Sequence, residues 1–409
     1  MNTSRTHITA ATIADGSGLV ASPGAILLEN GCVVAAGEAA AIGSVGDAQQ
    51  VHVPDSVVIP ALVNAHAHLD LTHIGPLPYS GDFSTWLGHV LAERNAIDET
   101  GVFQSTLKGA ELAKAGGTAL VGDIAGAWSL EPVRALRASD LAGVSFLEVF
   151  GIGQRQQDAV AKMRQVLEGV ARHESDVHLG ISPHAPYTCG RDVYAAAAQL
   201  GLPLATHLAE SLEELQFCAT AVGAFAELLQ RVGVWDDSIV GQGGHPVPLL
   251  SDLLTGGPHV AAHLNYVDDA CIDAMTRCGL SVAYCPRASA YFGHPHAEHP
   301  PHRYRDMLAA GINVALGTDS ILCLQTPDRI SVLDEMRFLY RRDGTDPLTL
   351  LAMATVNGAK ALGFDPNTVS LSEGPINGLI AVPGRTLPKA LVHDDAPTWI
   401  APRSNSGLS

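Results

Sequence analysis

The chain has 409 residues, of which 47% are hydrophobic and 16% charged, so it has the composition of a globular protein with at least one large core. Twenty-four basic residues against 42 acidic ones give a net charge of −18, which would repel a phosphate backbone and offers no polybasic patch to anionic lipid. We therefore expect a small-molecule substrate, with neither nucleic acid nor a membrane as a partner.

The N-terminal segment lacks the apolar core of a signal peptide, and no stretch of about 18 uninterrupted apolar residues occurs in the chain. The seven cysteines are odd in number and include no CxxC pair, which argues against a disulfide framework or a zinc ribbon. These features predict a cytoplasmic protein with reduced thiols. Histidine is abundant, since 18 His exceed five Lys. Because imidazole is the commonest metal ligand, this abundance favours metal chemistry.

The two ends of the chain differ in character from its middle. Residues 6–53 are rich in Gly, Ala and Val with turn signals, and residues 374–400 again suggest short strands broken by Gly and Pro. We interpret residues 1–56 and 366–409 as the two halves of one small β-sandwich domain. The domain between them is expected to cover residues 57–365.

That middle domain alternates short apolar, β-branched runs with longer stretches of helical period, which is the pattern of βα units on a parallel sheet. Eight predicted strands lie in the runs 57–70, 118–126, 142–151, 176–187, 203–210, 259–267, 280–289 and 313–320. Eight parallel strands with intervening helices predict an α/β fold, a closed (β/α)8 TIM barrel.

The first predicted strand ends in the motif Asn64-Ala-His66-Ala-His68. Side chains two residues apart on a strand face the same way, so both imidazoles can point into the barrel mouth and chelate one ion. The alternative is a pair of structural histidines that are hydrogen-bonded to the protein.

Polar residues also end four of the later strands. They are His184 on strand four, His207 and Glu210 on strand five, His263 and Asn265 on strand six, and Thr318, Asp319 and Ser320 on strand eight. In a barrel such residues converge on one site, whereas residues that serve stability favour the interior layers or the opposite face. The strand ends therefore predict one functional site at the mouth.

Glu210 lies three residues after His207, so on a continuing strand it would face away from the site. Ser211 and Glu214 have the spacing of a capping box, which predicts that a helix begins directly after Glu210 and that the strand has ended. The alternative for Glu210 is a solvated carboxylate at a helix N-terminus, where the dipole favours acidic residues.

With these strand ends the chain resembles the amidohydrolase superfamily, whose pattern is HxH after strand one, His after strands five and six, and Asp after strand eight. The resemblance covers essentially the whole chain. It implies the metal ligands His66, His68, His207 and Asp319.

The resemblance also implies how protons move. Glu210 in HLAE is similar to the HxxE glutamate of the deaminase branch, which shuttles a proton between metal-bound water and substrate. His263 is implied as an acid/base beside the metal, and Asp319 as a second group that manages protons. A divalent ion held by three imidazoles and a carboxylate would activate water near neutral pH.

Binuclear members of the superfamily bridge two ions with a lysine from strand four, and no lysine lies on a predicted barrel strand here. We therefore expect one divalent metal ion per chain. Zn²⁺ is the expected ion, with Fe²⁺ and Mn²⁺ as alternatives, because imidazole and carboxylate suit several first-row metals.

The blocks NAHAHLDLTH, FSTWLGHVLAERN, SPHAPYT, THLAESLEELQF and CPRASAYFG are similar to adenosine-type deaminases that act on S-adenosylhomocysteine, methylthioadenosine or 6-aminodeoxyfutalosine. In this branch the histidine at position 184 contacts the substrate, although it could equally cap its strand. Two departures leave the substrate open. Glu93 is offset from the glutamate that contacts ribose in methylthioadenosine-type enzymes, and Ala288-Ser289 stands where relatives often have a polar or histidine residue after CPR.

The resemblance implies a hydrolytic deaminase of an aminated purine nucleoside. One alternative is hydrolysis of another C–N or C–Cl bond, as in cytosine, a triazine or a guanidine-like compound. Another is a non-catalytic scaffold, which fits less well because all four ligand positions are filled. A homodimer is an open expectation. Trp86 as a lid or core residue, Arg287 as a substrate or carboxylate partner, and the role of loop 294–302 also stay open.

Overall fold

The computed structural model describes residues 4–168 and 175–401, which contain sixteen β-strands, sixteen α-helices and four short 3₁₀ helices. The strands are β1 (Arg5–Ala14), β2 (Val20–Ala21), β3 (Gly24–Glu29), β4 (Cys32–Glu38), β5 (Gln49–Pro60), β6 (Leu62–Ala67), β7 (Thr118–Ala127), β8 (Ala142–Val149), β9 (Val177–Pro183), β10 (Leu204–Leu208), β11 (His259–His263), β12 (Ser281–Tyr284), β13 (Val314–Leu316), β14 (Gly374–Pro375), β15 (Leu379–Pro383) and β16 (Thr398–Ala401).

The helices are α1 (Ala39–Ile42), α2 (Phe83–Asn95), α3 (Glu99–Ala115), α4 (Glu131–Ala138), α5 (Gln156–Glu168), α6 (Arg191–Ala198), α7 (Leu212–Thr220), α8 (Ala224–Arg231), α9 (Pro246–Leu250), α10 (Asp269–Cys278), α11 (Pro286–Phe292), α12 (Tyr304–Ala309), α13 (Val332–Asp343), α14 (Pro347–Met353), α15 (Val356–Leu362) and α16 (Leu387–Ala390). The 3₁₀ helices cover Leu69–Leu71, Gly153–Arg155, Ile321–Cys323 and Pro366–Val369.

Strands β6 to β13 form the predicted barrel. Each pairs in parallel with its neighbour in chain order, and helices lie between them. A parallel bridge between Ala67 and Asp319 joins the ends of the first and last strands. Strand β8 is buried along its whole length, as expected where helices cover one face and the barrel core the other. The prediction of a (β/α)8 barrel is confirmed.

The remaining strands form one eight-stranded sheet that draws on both chain ends, in the order β14-β4-β3-β1-β5-β15-β16 with β2 paired to β1. The prediction that both chain ends build one β unit is confirmed, and its strands form a single sheet where the predicted sandwich would have two. The predicted run 57–70 divides at Ala61, because Val57 to Pro60 pair with β15 in this sheet and Ala61 donates its N–H to Gly378. The barrel strand begins at Leu62.

The first βα connection of the barrel contains an additional helix. Helix α2 precedes α3, and Asp82 stabilises its start by accepting a hydrogen bond from the Thr85 N–H at 3.2 Å. Four α2 side chains that line the pocket at the barrel mouth are three or four residues apart and so lie on one helix face: Phe83, Trp86, Val90 and Arg94. Within the described residues, no helix combines the length and apolar character needed to cross a bilayer.

Candidate active site

Four histidines come together at the carboxyl ends of three barrel strands. His66 and His68 lie at the end of β6, His207 near the end of β10 and His263 at the end of β11. The ring centre of His66 lies 5.1 Å from that of His68, 5.0 Å from His207 and 5.4 Å from His263. All four side chains are buried. The convergence predicted from the strand ends is thus present in the fold.

The orientation of these rings suits a cation. His207 Nδ1 lies 3.0 Å from the His184 carbonyl oxygen and donates to it, which leaves the Nε2 lone pair free for a metal. His207 Nε2 faces His68 Nε2 at 3.1 Å. His66 Nε2 is buried and has no hydrogen-bond partner among the described residues.

Asp319 adds a carboxylate to this group. It lies three residues after the end of the last barrel strand, with a left-handed φ of 60°, and its backbone N–H donates to the His66 carbonyl oxygen at 3.1 Å. Asp319 Oδ1 lies 3.7 Å from His68 Nε2 and accepts a hydrogen bond from the Ser320 N–H at 2.6 Å. Strands one and eight therefore present their polar side chains to each other.

The electrostatics of the group favour a bound cation. Burial lowers the pKa of His66 and His68 well below the usual imidazole range and lowers that of His207 to about 4, so all three are neutral. Burial raises the pKa of Asp319 to about 7. Ligand atoms of His66, His68 and Asp319 lie within 4.8 Å of one another, as do those of His66, His207 and His263. Neutral imidazoles and a carboxylate are the donors that a divalent metal requires, so the residues fit such an ion.

Glu210 faces the site, and the local backbone explains how. Strand β10 ends at Leu208, and Ala209 has a left-handed φ of 49°. The turn brings Glu210 Oε1 to 3.7 Å from His263 Nε2, with the residue only 9% exposed. Glu210 is therefore a buried carboxyl and not a solvated one. Burial and the nearby Asp319 raise its pKa well above the usual range.

The capping box predicted after the fifth barrel strand is present, but the Glu214 carboxylate bonds to different N–H groups from those of a standard box. Ser211 accepts a hydrogen bond from the Glu214 N–H at 3.2 Å, as predicted. The Glu214 carboxylate does not bond to the Ser211 N–H. It accepts instead from the N–H groups of Ala209 at 2.7 Å and Glu210 at 2.9 Å. The box therefore fixes the turn that orients Glu210.

His263 lies beside this carboxyl. It is 1% exposed, has a left-handed φ of 73° and has no hydrogen-bond partner on Nε2 among the described residues. Burial lowers its pKa well below the usual range, so its ring is neutral. A strained, buried imidazole with an unpaired nitrogen next to a carboxyl is the arrangement expected of a group that handles protons.

The contacts of His184 are compatible with both of the roles that its position left open. Its carbonyl oxygen bonds to His207, while its Nδ1 lies 2.7 Å from Thr188 Oγ1. The side chain also lines the same pocket as Glu210. It can therefore contact a bound substrate while its backbone orients a neighbouring histidine.

A buried charged network at this end of the pocket was missed by the sequence reasoning. Arg94 of helix α2 donates to Asp70 at 2.9 Å and to Glu148 at 3.2 Å. Glu148 Oε1 lies 4.0 Å from His184 Nε2, and burial raises the pKa of Glu148 to about 7. Glu148 lies next to the last residue of β8, the third barrel strand, so its place near a strand end could have identified it as a site residue. Arg94 carried no such signal.

Glu148, His184 and His207 form another group with metal-ligand spacing. The guanidinium of Arg94 already bonds to Glu148 and would repel a cation there. None of the residues that line the pocket is a lysine. These observations favour the histidines around His66 as the place for a metal.

Aromatic side chains close the pocket. Phe83 and Trp86 of α2, Phe292 of α11 and Tyr187 line a cavity of about 80 Å³ that also contains His207 and Glu210. A neighbouring cavity of about 220 Å³ shares Phe83 and Phe292 as walls. The Trp86 side chain is held in position by a hydrogen bond from its Nε1 to Tyr291 Oη at 3.0 Å.

The other open residues fall outside this pocket. Glu93 does not line it, and Arg287 bonds to Glu335 at 2.5 Å and so pairs with a carboxylate. Residues 294–302 are not helical, as their prolines predicted. No group with metal-ligand spacing among the described residues includes a histidine of this loop.

The sequence profile of the amidohydrolase family matches residues 57–400. An aminodeoxyfutalosine deaminase of Deinococcus radiodurans is 30% identical over 381 residues, covering 85% of this chain and 83% of that protein. A 5-methylthioadenosine/S-adenosylhomocysteine deaminase of Syntrophobacter fumaroxidans is 26% identical over 384 residues, covering 90% and 82%. The crystal structure of Helicobacter pylori aminofutalosine deaminase covers 97% of this chain and 98% of its own, with a TM-score of 0.75 and 22% identity, and shares the fold.

Proposed function

The chain belongs to the amidohydrolase family, and we propose that it deaminates an aminated purine nucleoside by hydrolysis. It is a hydrolytic enzyme that acts on C–N bonds other than peptide bonds. The observation that carries the proposal is the position of the Glu210 carboxyl. It is buried, its Oε1 lies 3.7 Å from His263 Nε2, and it lies beside the group of His66, His68 and Asp319. A cation site with an adjacent proton carrier is what hydrolytic deamination of a heterocycle requires.

We assign the metal to His66, His68, His207 and Asp319, with one ion per chain. When bound, a divalent cation acts as a Lewis acid and makes water a nucleophile near neutral pH. Zn²⁺ is the proposed ion because three imidazoles and a carboxylate are a typical zinc set, and Fe²⁺ and Mn²⁺ are the alternatives.

The protein side chains then move the protons. Glu210 takes a proton from the attacking water and delivers it to the ring nitrogen beside the amine-bearing carbon. His263 hydrogen-bonds the oxygen that adds to that carbon, and Asp319 accepts the second proton on its way to the leaving amine. Water is consumed, the ring gains an oxo group and ammonia departs. The raised pKa of Glu210 supports its role, since burial makes this carboxyl more ready to hold a proton than an ordinary glutamate.

The walls of the pocket support a nucleoside with a 5′ substituent. A cavity of about 80 Å³ is small for a ligand site, since such sites are typically about 300 Å³ or more. Movement of Phe83 and Phe292 would join it to the adjoining cavity of about 220 Å³. The purine would then stack on aromatic rings, with its 5′ substituent in the outer cavity. The candidates are 6-aminodeoxyfutalosine, methylthioadenosine and S-adenosylhomocysteine.

An ammonia-release screen tests the proposal. The panel contains these three nucleosides and adenosine, with cytosine and a triazine as small heterocycles that need no outer cavity. We expect ammonia from at least one 5′-substituted nucleoside. Release from cytosine alone, or chloride release from a chlorotriazine, would replace the nucleoside proposal with the other hydrolase function. No turnover by metal-loaded protein on any compound would favour the scaffold.

A further inference from the structure

The backbone of Glu210 is held at both of its polar groups by side chains that belong to later parts of the barrel. Its N–H donates to the Glu214 carboxylate at 2.9 Å, and its carbonyl oxygen accepts from Asn265 Nδ2 at 3.0 Å. Glu214 lies on helix α7, whereas Asn265 follows strand β11. A residue that is not in a strand or a helix thus has both backbone groups paired.

The amide of Asn265 has one defined orientation. Its Oδ1 accepts a hydrogen bond from Ser289 Oγ at 2.8 Å, so its Nδ2 is the atom that faces the Glu210 carbonyl oxygen. Asn265 is 4% exposed and Ser289 is 2% exposed, so water cannot easily replace either partner. Ser289 lies on α11, after strand β12.

This contact continues the pairing of two strands beyond their ends. The Leu264 N–H donates to Leu208 at 3.0 Å and the Tyr266 N–H to Ala209 at 3.2 Å, both to carbonyl oxygens. The carbonyl of Glu210 is next, and here the side chain of Asn265 takes the place of a backbone donor. A side-chain donor is needed here because Ala209, at φ 49°, has turned the chain out of the strand.

We propose that Asn265, oriented by Ser289, is a positioning residue for the proton carrier Glu210. It touches no reacting atom, and it acts by fixing the peptide that aims the Glu210 carboxyl at His263. The inference rests on the proposed function, in which Glu210 moves the protons.

The test compares Asn265→Ala and Ser289→Ala with the wild type and with Glu210→Gln. We expect Asn265→Ala to lower kcat by about 10- to 100-fold, because a displaced catalytic group reacts slowly, with KM changed less than about threefold and metal content unchanged. Ser289→Ala should lower kcat by about two- to tenfold. In this variant Asn265 can still bond to the Glu210 carbonyl oxygen and loses only the hydrogen bond from Ser289 that fixes the orientation of its amide. Asn377→Ala is the matched control, because Asn377, which lies between β14 and β15, is 3% exposed and its Nδ2 bonds to Thr368 Oγ1 at 3.0 Å.

The decisive comparison is the double variant Asn265→Ala with Glu210→Gln. If Asn265 acts through Glu210, the double variant is no slower than Glu210→Gln alone, whereas a general structural role would slow both backgrounds by the same factor. A crystal structure of Asn265→Ala supplies a readout that needs no substrate. We expect the Glu210 carboxyl to move away from its 3.7 Å separation from His263 Nε2.

The outcomes separate the two proposals. An unchanged carboxyl position in Asn265→Ala, or equal losses in both backgrounds, overturns the positioning role and leaves the proposed function standing. A moved carboxyl in a protein that deaminates nothing supports the positioning role and removes the proposed function.

Discussion

The position of the Glu210 side chain depends on one backbone angle, the left-handed φ of Ala209. On an extended strand its side chain would point away from His207, and the left-handed turn at Ala209 brings it to the same side. Its burial then raises its pKa well above the usual carboxyl range, which favours the protonated form. The proposed proton transfer therefore depends on position and environment together.

The first prediction concerns this carboxyl. Glu210→Gln should lower the turnover of the active nucleoside by about 10²- to 10⁴-fold, the usual contribution of a general acid/base, and should leave the metal content unchanged. Parallel measurement of kcat and of metal by elemental analysis checks both parts. Glu227→Gln, an exposed substitution on α8, is the control. A rate within a few-fold of wild type would exclude Glu210 from the mechanism, and parallel loss of metal and rate would make it a ligand.

The second prediction separates His263 from the ligands. Because its ring lies with those of His66 and His207 in a group with ligand spacing, geometry alone permits either role. We expect His263→Asn to lower kcat by at least about 100-fold while retaining most of the metal. His66→Ala, measured beside it, should lose metal. The role assigned to His263 is wrong if both variants lose metal equally.

At the level of elements, helix α2 is fixed to the barrel at both ends. Trp86 bonds to Tyr291 near its start, and Arg94 bonds to Asp70 and Glu148 near its end. The helix is therefore a firmly attached wall of the pocket.

The third prediction tests the attachment at Arg94. Arg94→Met removes the partner of two buried carboxylates and should lower the free energy of unfolding by about 3–5 kcal/mol. Arg94→Met combined with Glu148→Gln should recover part of that loss. Thermal or urea unfolding checks both values. A single variant as stable as the wild type would show that the network does not hold α2.

The loss in Arg94→Met should also depend on pH. Burial already raises the pKa of Glu148 to about 7, and without the guanidinium it rises further. Up to about pH 7 the folded wild type and the folded variant both hold this proton, whereas above pH 7 only the variant still does, so the destabilisation grows as pH rises from about 7. Destabilisation that is constant from pH 5 to 8 would contradict this assignment.

Much of this element-level description was accessible from the sequence. The eight strands and the convergence of His66, His207 and Asp319 follow from apolar runs with polar ends, because parallel strands in a barrel share one mouth. The capping signal at Ser211 also predicted where the fifth strand ends. These features are local, or follow from a topology that local features specify.

Other features were not accessible, for physical reasons. The bond from Arg94 to Glu148 joins residues 54 positions apart through an additional helix whose packing no local pattern specifies. The division of the run 57–70 between two sheets at Ala61 was hidden, because the segment is apolar on both sides of that point. The contact of Glu214 with Ala209 and Glu210 depends on a left-handed angle at Ala209, a residue type that rarely adopts one.

For the molecule as a whole, the fourth prediction is the metal count. Protein purified without added metal should contain one divalent ion per chain by elemental analysis, and Asp319→Asn should lower that occupancy. Because imidazole ligands bind only when deprotonated and burial lowers the pKa of His207 to about 4, the ion should stay bound at pH 6.5 and be lost only as pH falls well below that value. Two tightly held ions per chain would contradict the single site, as would full occupancy and full activity in Asp319→Asn.

The central claim is that this protein replaces the amine of a purine nucleoside with oxygen from water. The direct measurement is turnover of the active nucleoside in ¹⁸O-labelled water, with mass spectrometry of the product and quantification of ammonia. We predict one ¹⁸O atom per product molecule and one ammonia per turnover, with both products formed about 10²- to 10⁴-fold more slowly by Glu210→Gln. An unlabelled product, or ammonia released without an oxo product, would contradict the claim.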